Sequence, residues 1–338
     1  MSHSELVLHG LIEDMTNEQY HAAPGISKSQ LDAIAISPLA FYDAYENPDR
    51  EPREEKHCFA VGSGTHTLVL EPHLFERTYG VGFDKNAHPD ALDLSADLKR
   101  ECTARGLQVS GTKGELADRL IADGFPPERI MMVLENRHNE IIKGRIPISA
   151  IDYRDMMGML RAVTNHHTAG GLIVGAYIEQ SYFVTISVRD ALGPHYDPAL
   201  HGDGDDQVVL KIRPDIITHD GLIMPDLKTT EDVSPTGFGR TIAQRRYHVQ
   251  GAFYLDVMRF LYGDDAPKTF CFIAAQKKRP YDCAVHWLNE LHIAAGRDMY
   301  QRDLARIIAC RRVNFWPGAD DGRLIEAVLP SWAMSSIY

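Results

Sequence analysis

The first part of the chain has the hydrophobic and polar pattern of short helices. Ser27 and Gln30 have the spacing of a capping box, and apolar Leu31 follows directly. Ser37-Pro38 has the residue types of an N-cap and first helical position, which predicts a second short helix. The apolar stretch 59–70 predicts a third helix, buried, whose glycines allow close packing.

Residues 94–124 have a pattern of their own. Leu98 and Cys102 recur at helical spacing, turn-forming residues follow at 110–113, and Leu116 belongs to a second apolar stripe. This pattern predicts a helix–turn–helix hairpin of roughly 30 residues, which is too small to bury much core by itself.

Beyond the hairpin the pattern changes from helices to a mixture of helices and strands. The predicted elements are helices near 128–143 and 149–166, strands at 173–188, 207–217 and 222–229, a long amphipathic helix at 238–262, strands near 269–275 and 282–288, and a helix near 290–312. This order favours an α/β fold with a mixed central sheet flanked by helices. We expect three segments, an N-terminal part of the core (1–90), the inserted hairpin (91–126) and the remainder of the core (127–338).

Composition and charge argue against several classes of protein. The 338 residues carry a formal net charge of −12, which argues against coating nucleic acid by bulk charge but leaves a local basic groove open. Residues 1–55 alone carry −8. The five cysteines are scattered, which argues against a disulfide framework or a four-cysteine metal site. Without a signal peptide or an apolar run of ~20 residues, we expect a cytoplasmic protein that has no membrane contact.

The most informative segment is a predicted hairpin. Asp220-Gly221 suits a type I′ turn, and counting back from that turn places Asp215 opposite Asp226, ~5 Å apart on one face. Lys228 is two residues beyond Asp226 and projects from the same face. Two carboxylates and an ammonium in this arrangement would bind Mg²⁺ and position a water for attack on phosphate. The alternative is an exposed hairpin with a solvated salt bridge, and the spacing alone weighs the two equally.

The next helix carries candidate contacts to nucleic acid. Tyr247, Gln250 and Tyr254 fall on one helix face, and Arg245 and Arg246 are close by. This face would line a groove that follows a phosphate backbone. Half-buried core tyrosines with satisfied hydroxyls would produce the same spacing, so that alternative stays open.

Two further side chains have an ambiguous status. His66 lies in a glycine-rich helical stretch, where a lone histidine is more often a satisfied core residue than a ligand. Glu179 lies in a strand-like stretch and is a candidate buried carboxylate. Both become more informative only through their order along the chain.

That order resembles the PD-D/E-x-K nuclease superfamily, specifically its RecB-like branch. The elements that carry the resemblance are the His66 helix, Arg213-Pro214-Asp215, Asp226-Leu227-Lys228-Thr229-Thr230 and Gln250-x-x-x-Tyr254. The segments 25–38 and 247–256 are similar to the nuclease domain of the exonuclease VIII (RecE-type) family of phages and prophages. The chain has no clustered cysteines, which excludes the iron–sulfur subtypes of the branch.

The resemblance implies a Mg²⁺-dependent exonuclease, with Mn²⁺ as a substitute, that digests linear duplex DNA from 5′ ends and leaves 3′ single strands. It also implies a bacterial host cytoplasm, a single-strand annealing recombinase as partner and a ring-shaped homo-oligomer. Two alternatives stay open: a non-catalytic DNA-binding scaffold, and an endonuclease on the same fold.

The resemblance also implies roles for individual residues. His66, Asp215 and Asp226 would ligate the metal together with the Leu227 carbonyl, and Lys228 would orient the water and stabilise developing charge. Glu179 lies near the position of a further family acid. The remaining implied contacts, to the DNA backbone, are Gln250 and Tyr254.

The hairpin near 98–120 departs from this exonuclease pattern and resembles a SAP motif, a helical hairpin that typically binds DNA. Its candidate contacts are Lys99, Arg105, Lys113 and Arg119. Because its net charge is only +1, binding would depend on phosphate contacts rather than base readout. The alternative is a hairpin that only packs on the nuclease body.

Overall fold

The computed structural model describes residues 9–50, 57–318, 320 and 323–329, and the side chains of 57–60 are not described. The strands are β1 (Gly10–Ile12), β2 (Tyr79–Val81), β3 (Ile146–Ile148), β4 (Tyr177–Ile178), β5 (Ser181–Ser187), β6 (Gln207–Ile212), β7 (Ile216–Ile217), β8 (Ile223–Thr230), β9 (Thr269–Gln276) and β10 (Cys283–Trp287). The helices are α1 (Asn17–Ala22), α2 (Lys28–Ile36), α3 (Pro38–Phe41), α4 (His57–Leu70), α5 (Pro72–Thr78), α6 (Ser95–Ala104), α7 (Lys113–Ala122), α8 (Met131–Ile142), α9 (Ala150–Asn165), α10 (His167–Ile173), α11 (Val188–Leu192), α12 (Pro198–His201), α13 (Pro235–Gln244), α14 (Tyr247–Tyr262) and α15 (Glu290–Val313).

The chain divides into two compact units. The first unit comprises residues 1–54, 166–274 and 284–338, and the second comprises 55–165 and 275–283. The mixture of helices and strands confirms the predicted α/β class. Parts of the acidic N-terminal segment, residues 1–8 and 51–56, lie outside the described residues.

Three short sheets and a pair of packed helices form the main elements of the first unit. The sheet orders are β1-β5-β6, β10-β9-β8 and β4-β7, and β5 pairs with β6 in antiparallel register. Helix α14 is buried along residues 249–258, because apolar side chains surround it on most faces. Phe253 of α14 packs edge-on against Tyr300 of α15, with ring centroids 5.4 Å apart.

The predicted long helix at 238–262 is wrong, because two helices occupy this range. Helix α13 ends at Gln244, and α14 begins at Tyr247 after Arg246 adopts a left-handed φ of 55°. A residue other than glycine pays a steric cost in this region, so tertiary contacts have to hold it there.

The predicted type I′ turn at Asp220-Gly221 is also wrong. Only Gly221 has a positive φ, at 72°, and its N–H donates to the Thr218 carbonyl. The loop is therefore longer than two residues. The predicted pairing nevertheless holds at the next position, because the Thr218 N–H donates to the Ile223 carbonyl at 3.0 Å.

The second unit contains the predicted helical hairpin. Helices α6 and α7 enclose a small core in which Leu98, Leu116 and Leu120 are fully buried. Thr112 caps α7 and exchanges hydrogen bonds with Glu115 in a capping box. The two helices are therefore formed as the sequence pattern predicts, and their small core is shared with residues that follow the hairpin, such as Phe125 and Ile130.

The second unit also contains a close helix contact and an anchored β-turn. A Cβ atom added at Gly64 of α4 would lie 2.8 Å from Met156 of α9, which confirms that this glycine permits close packing. Residues 275–283 form the tip of the hairpin made by β9 and β10. Asp155 anchors this hairpin tip by accepting hydrogen bonds from Lys278 and Tyr281, each at 2.5 Å. Among the described residues, no helix is long and apolar enough to cross a membrane.

Candidate active site

The segment that runs from Asp215 through β7 into β8 brings Asp215 close to Asp226 in the first unit. Asp226 lies in β8, and Asp215 immediately precedes β7. The Leu227 N–H donates to Asp215 Oδ2 at 2.8 Å, which fixes this carboxylate against the middle of β8. The Asp215 carboxylate therefore lies beside the residue that follows Asp226.

Asp226 is almost fully buried, with 1% of its surface exposed. Its Oδ1 accepts a hydrogen bond from Gln250 Nε2 at 2.6 Å, and its Oδ2 lies 2.5 Å from Lys228 Nζ. A buried carboxylate is costly unless charged or hydrogen-bonded partners compensate it. Helix α14 supplies the Gln250 amide and strand β8 supplies the Lys228 ammonium, so both oxygens of Asp226 have a partner.

Lys228 is held as an ammonium. Burial opposes its charge, but the nearby Asp226 and Asp215 carboxylates outweigh this effect and hold the pKa of Lys228 above its ordinary value. Its Nζ lies 5.1 Å from the centroid of the Tyr247 ring, a cation–π distance. The side chain can thus donate hydrogen bonds and stabilise negative charge.

Glu179 is the third acid of the first unit at this place. Its φ of 51° is uncommon outside glycine, and its N–H donates to the Asp215 carbonyl at 3.2 Å. One carboxylate oxygen of Glu179 lies within 4.8 Å of one of Asp215. Carboxylate oxygens are the ligands that hard divalent cations such as Mg²⁺ and Mn²⁺ prefer, so this donor set fits such an ion.

Arg213 fixes the orientation of Glu179. Its Nε donates to Glu179 Oε2 at 2.7 Å, and its Nη1 donates to Ser181 Oγ and to the Met15 carbonyl, also at 2.7 Å. The sequence marks Arg213 only as part of a motif. The structure shows that it supports the neighbouring acid.

Gln250 and Tyr254 of α14 face inward. Gln250 is 7% exposed, and its amide is engaged by Asp226. Tyr254 is 9% exposed, and burial together with the nearby acids raises the pKa of its phenol. Both residues are therefore buried beside the acids. Their contact with the DNA backbone stays a prediction.

The two arginines before α14 differ in their surroundings. Arg245 is exposed. Arg246 lies inside an ion-pair network, in which its Nε donates to Asp32 at 3.1 Å and its Nη2 is paired with Asp303. These pairs hold the left-handed backbone that separates α13 from α14. The predicted DNA contact is therefore easier to make for Arg245.

The basic residues of the helical hairpin are mostly engaged by neighbouring groups. Lys113 Nζ lies 2.8 Å from Asp93, and Arg105 pairs with Glu101 at 2.9 Å and with Asp123 at 3.1 Å. The remaining two are Arg119, which donates to the Gln108 and Ser110 carbonyls, and Lys99, which is exposed.

His66 lies on α4, in the second unit. Its predicted role as a metal ligand stays a prediction.

Lys28 is the functional candidate that sequence reasoning missed. The sequence places it inside a capping box at the start of α2, where it signals only a helix. In the structure its Nζ lies 5.9 Å from the centroid of the Tyr247 ring, the ring that also receives Lys228. No local pattern connects residues this far apart along the chain.

An α/β core in which two acids and a lysine lie together beside a buried helix is the arrangement that the PD-D/E-x-K resemblance predicts. Residues 193–322 match a family described as "PDDEXK-like domain of unknown function (DUF3799)". The matched range includes Asp215, Asp226, Lys228 and Gln250. Residues 95–123 match the SAP domain family. Residues 193–322 are therefore similar to a PDDEXK-like domain, and residues 95–123 are similar to a SAP domain.

Comparison with solved structures adds a distant likeness. A crystal structure from Eubacterium rectale, named "putative exonuclease", is 12% identical, with a TM-score of 0.36. The alignment covers 75% of this chain and 96% of that chain. No curated protein matches the chain.

Proposed function

We propose that this protein is a Mg²⁺-dependent exodeoxyribonuclease that digests linear duplex DNA from 5′ ends and leaves 3′ single strands, with Mn²⁺ as a substitute ion. The observation that carries the proposal is the intact set of Asp215, Asp226 and Lys228, packed with Glu179 and each held by a defined partner. Acids that can hold a divalent ion, with an ammonium beside them, supply the groups that metal-assisted phosphodiester hydrolysis needs.

Glu179 and Asp215 would hold the ion, with Asp226 and the Leu227 carbonyl as further ligands and His66 retained as a prediction from the sequence. The ion would supply Lewis-acid activation of the phosphodiester and of the attacking water. Lys228 donates hydrogen bonds to the water or to a phosphate oxygen and stabilises the charge that develops there. Gln250 and Arg213 keep two of the acids in one orientation.

The proposal extends to the biological setting. The products, 3′ single strands, are the substrates of a single-strand annealing recombinase, which we propose as the partner in phage-type recombination. A ring-shaped homo-oligomer would enclose the duplex and make digestion processive. The SAP domain would add phosphate contacts.

The test is digestion of a linear duplex labelled at either its 5′ or its 3′ end, with Mg²⁺ or EDTA, beside closed circular DNA. We expect Mg²⁺-dependent release of the 5′ label and intact circles. Lys228→Met is expected to abolish release while the circular dichroism spectrum is retained. Early release of the 3′ label would reverse the polarity, cleaved circles would indicate an endonuclease, and binding without digestion would indicate a scaffold.

A further inference from the structure

A second lysine lies beside the catalytic one. Lys28 is the first residue of α2, and the capping box made by Ser27 and Gln30 fixes where this helix begins. Lys28 Nζ lies 5.9 Å from the Tyr247 ring centroid, and Lys228 Nζ lies 5.1 Å from the same centroid. Two ammonium groups therefore share one aromatic ring.

The positive charge of Lys28 at this place is electrostatically unfavourable. Burial lowers the pKa of Lys28, Lys228 and Arg246 lower it further, and only Asp32 opposes them. A fold that needed no cation here would bury an apolar side chain at lower cost. The Tyr247 ring partly offsets the repulsion, because its face attracts both cations.

The hydrogen bonds of Lys28 leave room for one more acceptor. An ammonium has three N–H donors. One reaches Asp32 Oδ2 at 2.5 Å, and another reaches the Arg245 carbonyl at 3.3 Å. Among the described residues these are the hydrogen bonds that Lys28 makes, so its third donor is available to an oxygen that arrives with a ligand.

We propose that Lys28 binds a phosphate of the DNA strand next to the one that Lys228 serves, with the Tyr247 ring as the spacer between them. The inference rests on the proposed nuclease function, since that function brings a phosphodiester to Lys228. The ligand chemistry is that of two phosphate groups joined in one strand. Arg246 and Asp32 hold the lysine at the ring and are positioning residues.

The experiment measures duplex binding at several salt concentrations for wild type, Lys28→Gln and Lys28→Arg, in EDTA and again with Ca²⁺. Each phosphate contact contributes about 0.9 to the slope of log K against log salt. We expect Lys28→Gln to lose about that amount and to bind about tenfold more weakly, and Lys28→Arg to restore the slope. Lys143→Gln is the control, because Lys143 also pairs with an acid of its own helix but is remote from Tyr247 in sequence and lies in the second unit.

The steady-state prediction is a raised KM with kcat little changed, because a contact to a neighbouring phosphate binds ground state and transition state alike. An unchanged salt slope in Lys28→Gln would overturn the inference and leave Lys28 a structural residue, with the nuclease proposal intact. Loss of slope in a protein that never digests DNA would support the phosphate contact and reject the nuclease. Failure of Lys28→Arg to restore the slope would also contradict a contact made through charge.

Discussion

Gln250 offers the sharpest test of how the site is organised. Its Nε2 donates to Asp226 Oδ1 at 2.6 Å, and both side chains are buried. Gln250→Leu keeps the size and apolar packing but removes the donor. A hydrogen bond to a charged group contributes roughly 1.5–3 kcal/mol, and more is lost when a buried partner is left unsatisfied.

If that bond serves to hold Asp226 in its catalytic orientation, the same energy is lost from the transition state. At about 1.4 kcal/mol per tenfold change in rate, we expect kcat/KM for linear duplex to fall roughly ten- to a hundredfold. The fall should lie in kcat, with KM and the salt dependence of DNA binding unchanged. A direct contact of Gln250 with the DNA backbone predicts the opposite division, a raised KM and a smaller salt slope.

The assay is initial-rate digestion of end-labelled duplex over a range of DNA concentrations. Gln244→Leu is the matched control, because Gln244 is an exposed glutamine at the end of α13, and its kcat/KM should stay within about twofold of wild type. A urea titration checks that Gln250→Leu is folded. Wild-type kcat in a folded Gln250→Leu protein would refute the positioning role.

Three further contrasts follow from the surroundings of charged side chains. Arg246→Ala should lower the unfolding free energy by about 2 kcal/mol in urea without changing the salt slope of DNA binding, whereas Arg245→Ala should reduce the slope and leave stability unchanged. In the SAP domain, exposed Lys99→Ala should reduce the slope by about 0.9, and Lys113→Ala, whose ammonium is already paired, should not; equal effects would contradict this. Asp155→Asn should speed tryptic cleavage in the hairpin tip, and an unchanged rate would show that the tip needs no anchor. Burial opposes the charge of Asp155, but hydrogen bonds from Lys278 and Tyr281 hold the pKa of this carboxyl below its ordinary value. The stabilisation by the Asp155 carboxylate is therefore present at neutral pH and is lost as pH falls through the lowered pKa. Hydrogen exchange in the hairpin tip would detect this loss.

Local signals explain why the SAP domain could be predicted from sequence. Each helix has its own apolar stripe, and Thr112 and Glu115 cap α7 without help from distant residues. The same holds for the pairing of Asp226 with Lys228, because side chains two positions apart on a strand share a face. Interactions between residues that are two to four positions apart can be predicted from their spacing along the chain.

The break between α13 and α14 could not be derived in this way. Arg246 adopts its left-handed backbone where Asp32 and Asp303 receive its guanidinium, and both acids are distant in sequence. Gln250 shows a second limit. The helical face that it shares with Tyr247 and Tyr254 predicts contact with a phosphate backbone, and the sequence does not show that Gln250 also donates to the buried Asp226.

The charges of the candidate site bear on how a protein with a net charge of −12 would attract DNA in the proposed function. The three carboxylates of Glu179, Asp215 and Asp226 lie with the two cations Arg213 and Lys228, and these five groups have a formal sum of −1. A phosphodiester, also negative, is therefore weakly repelled by the cluster alone. One divalent cation reverses the sign and makes the same place attractive to phosphate. In the proposed function, attraction of DNA to this site would therefore depend on the bound ion.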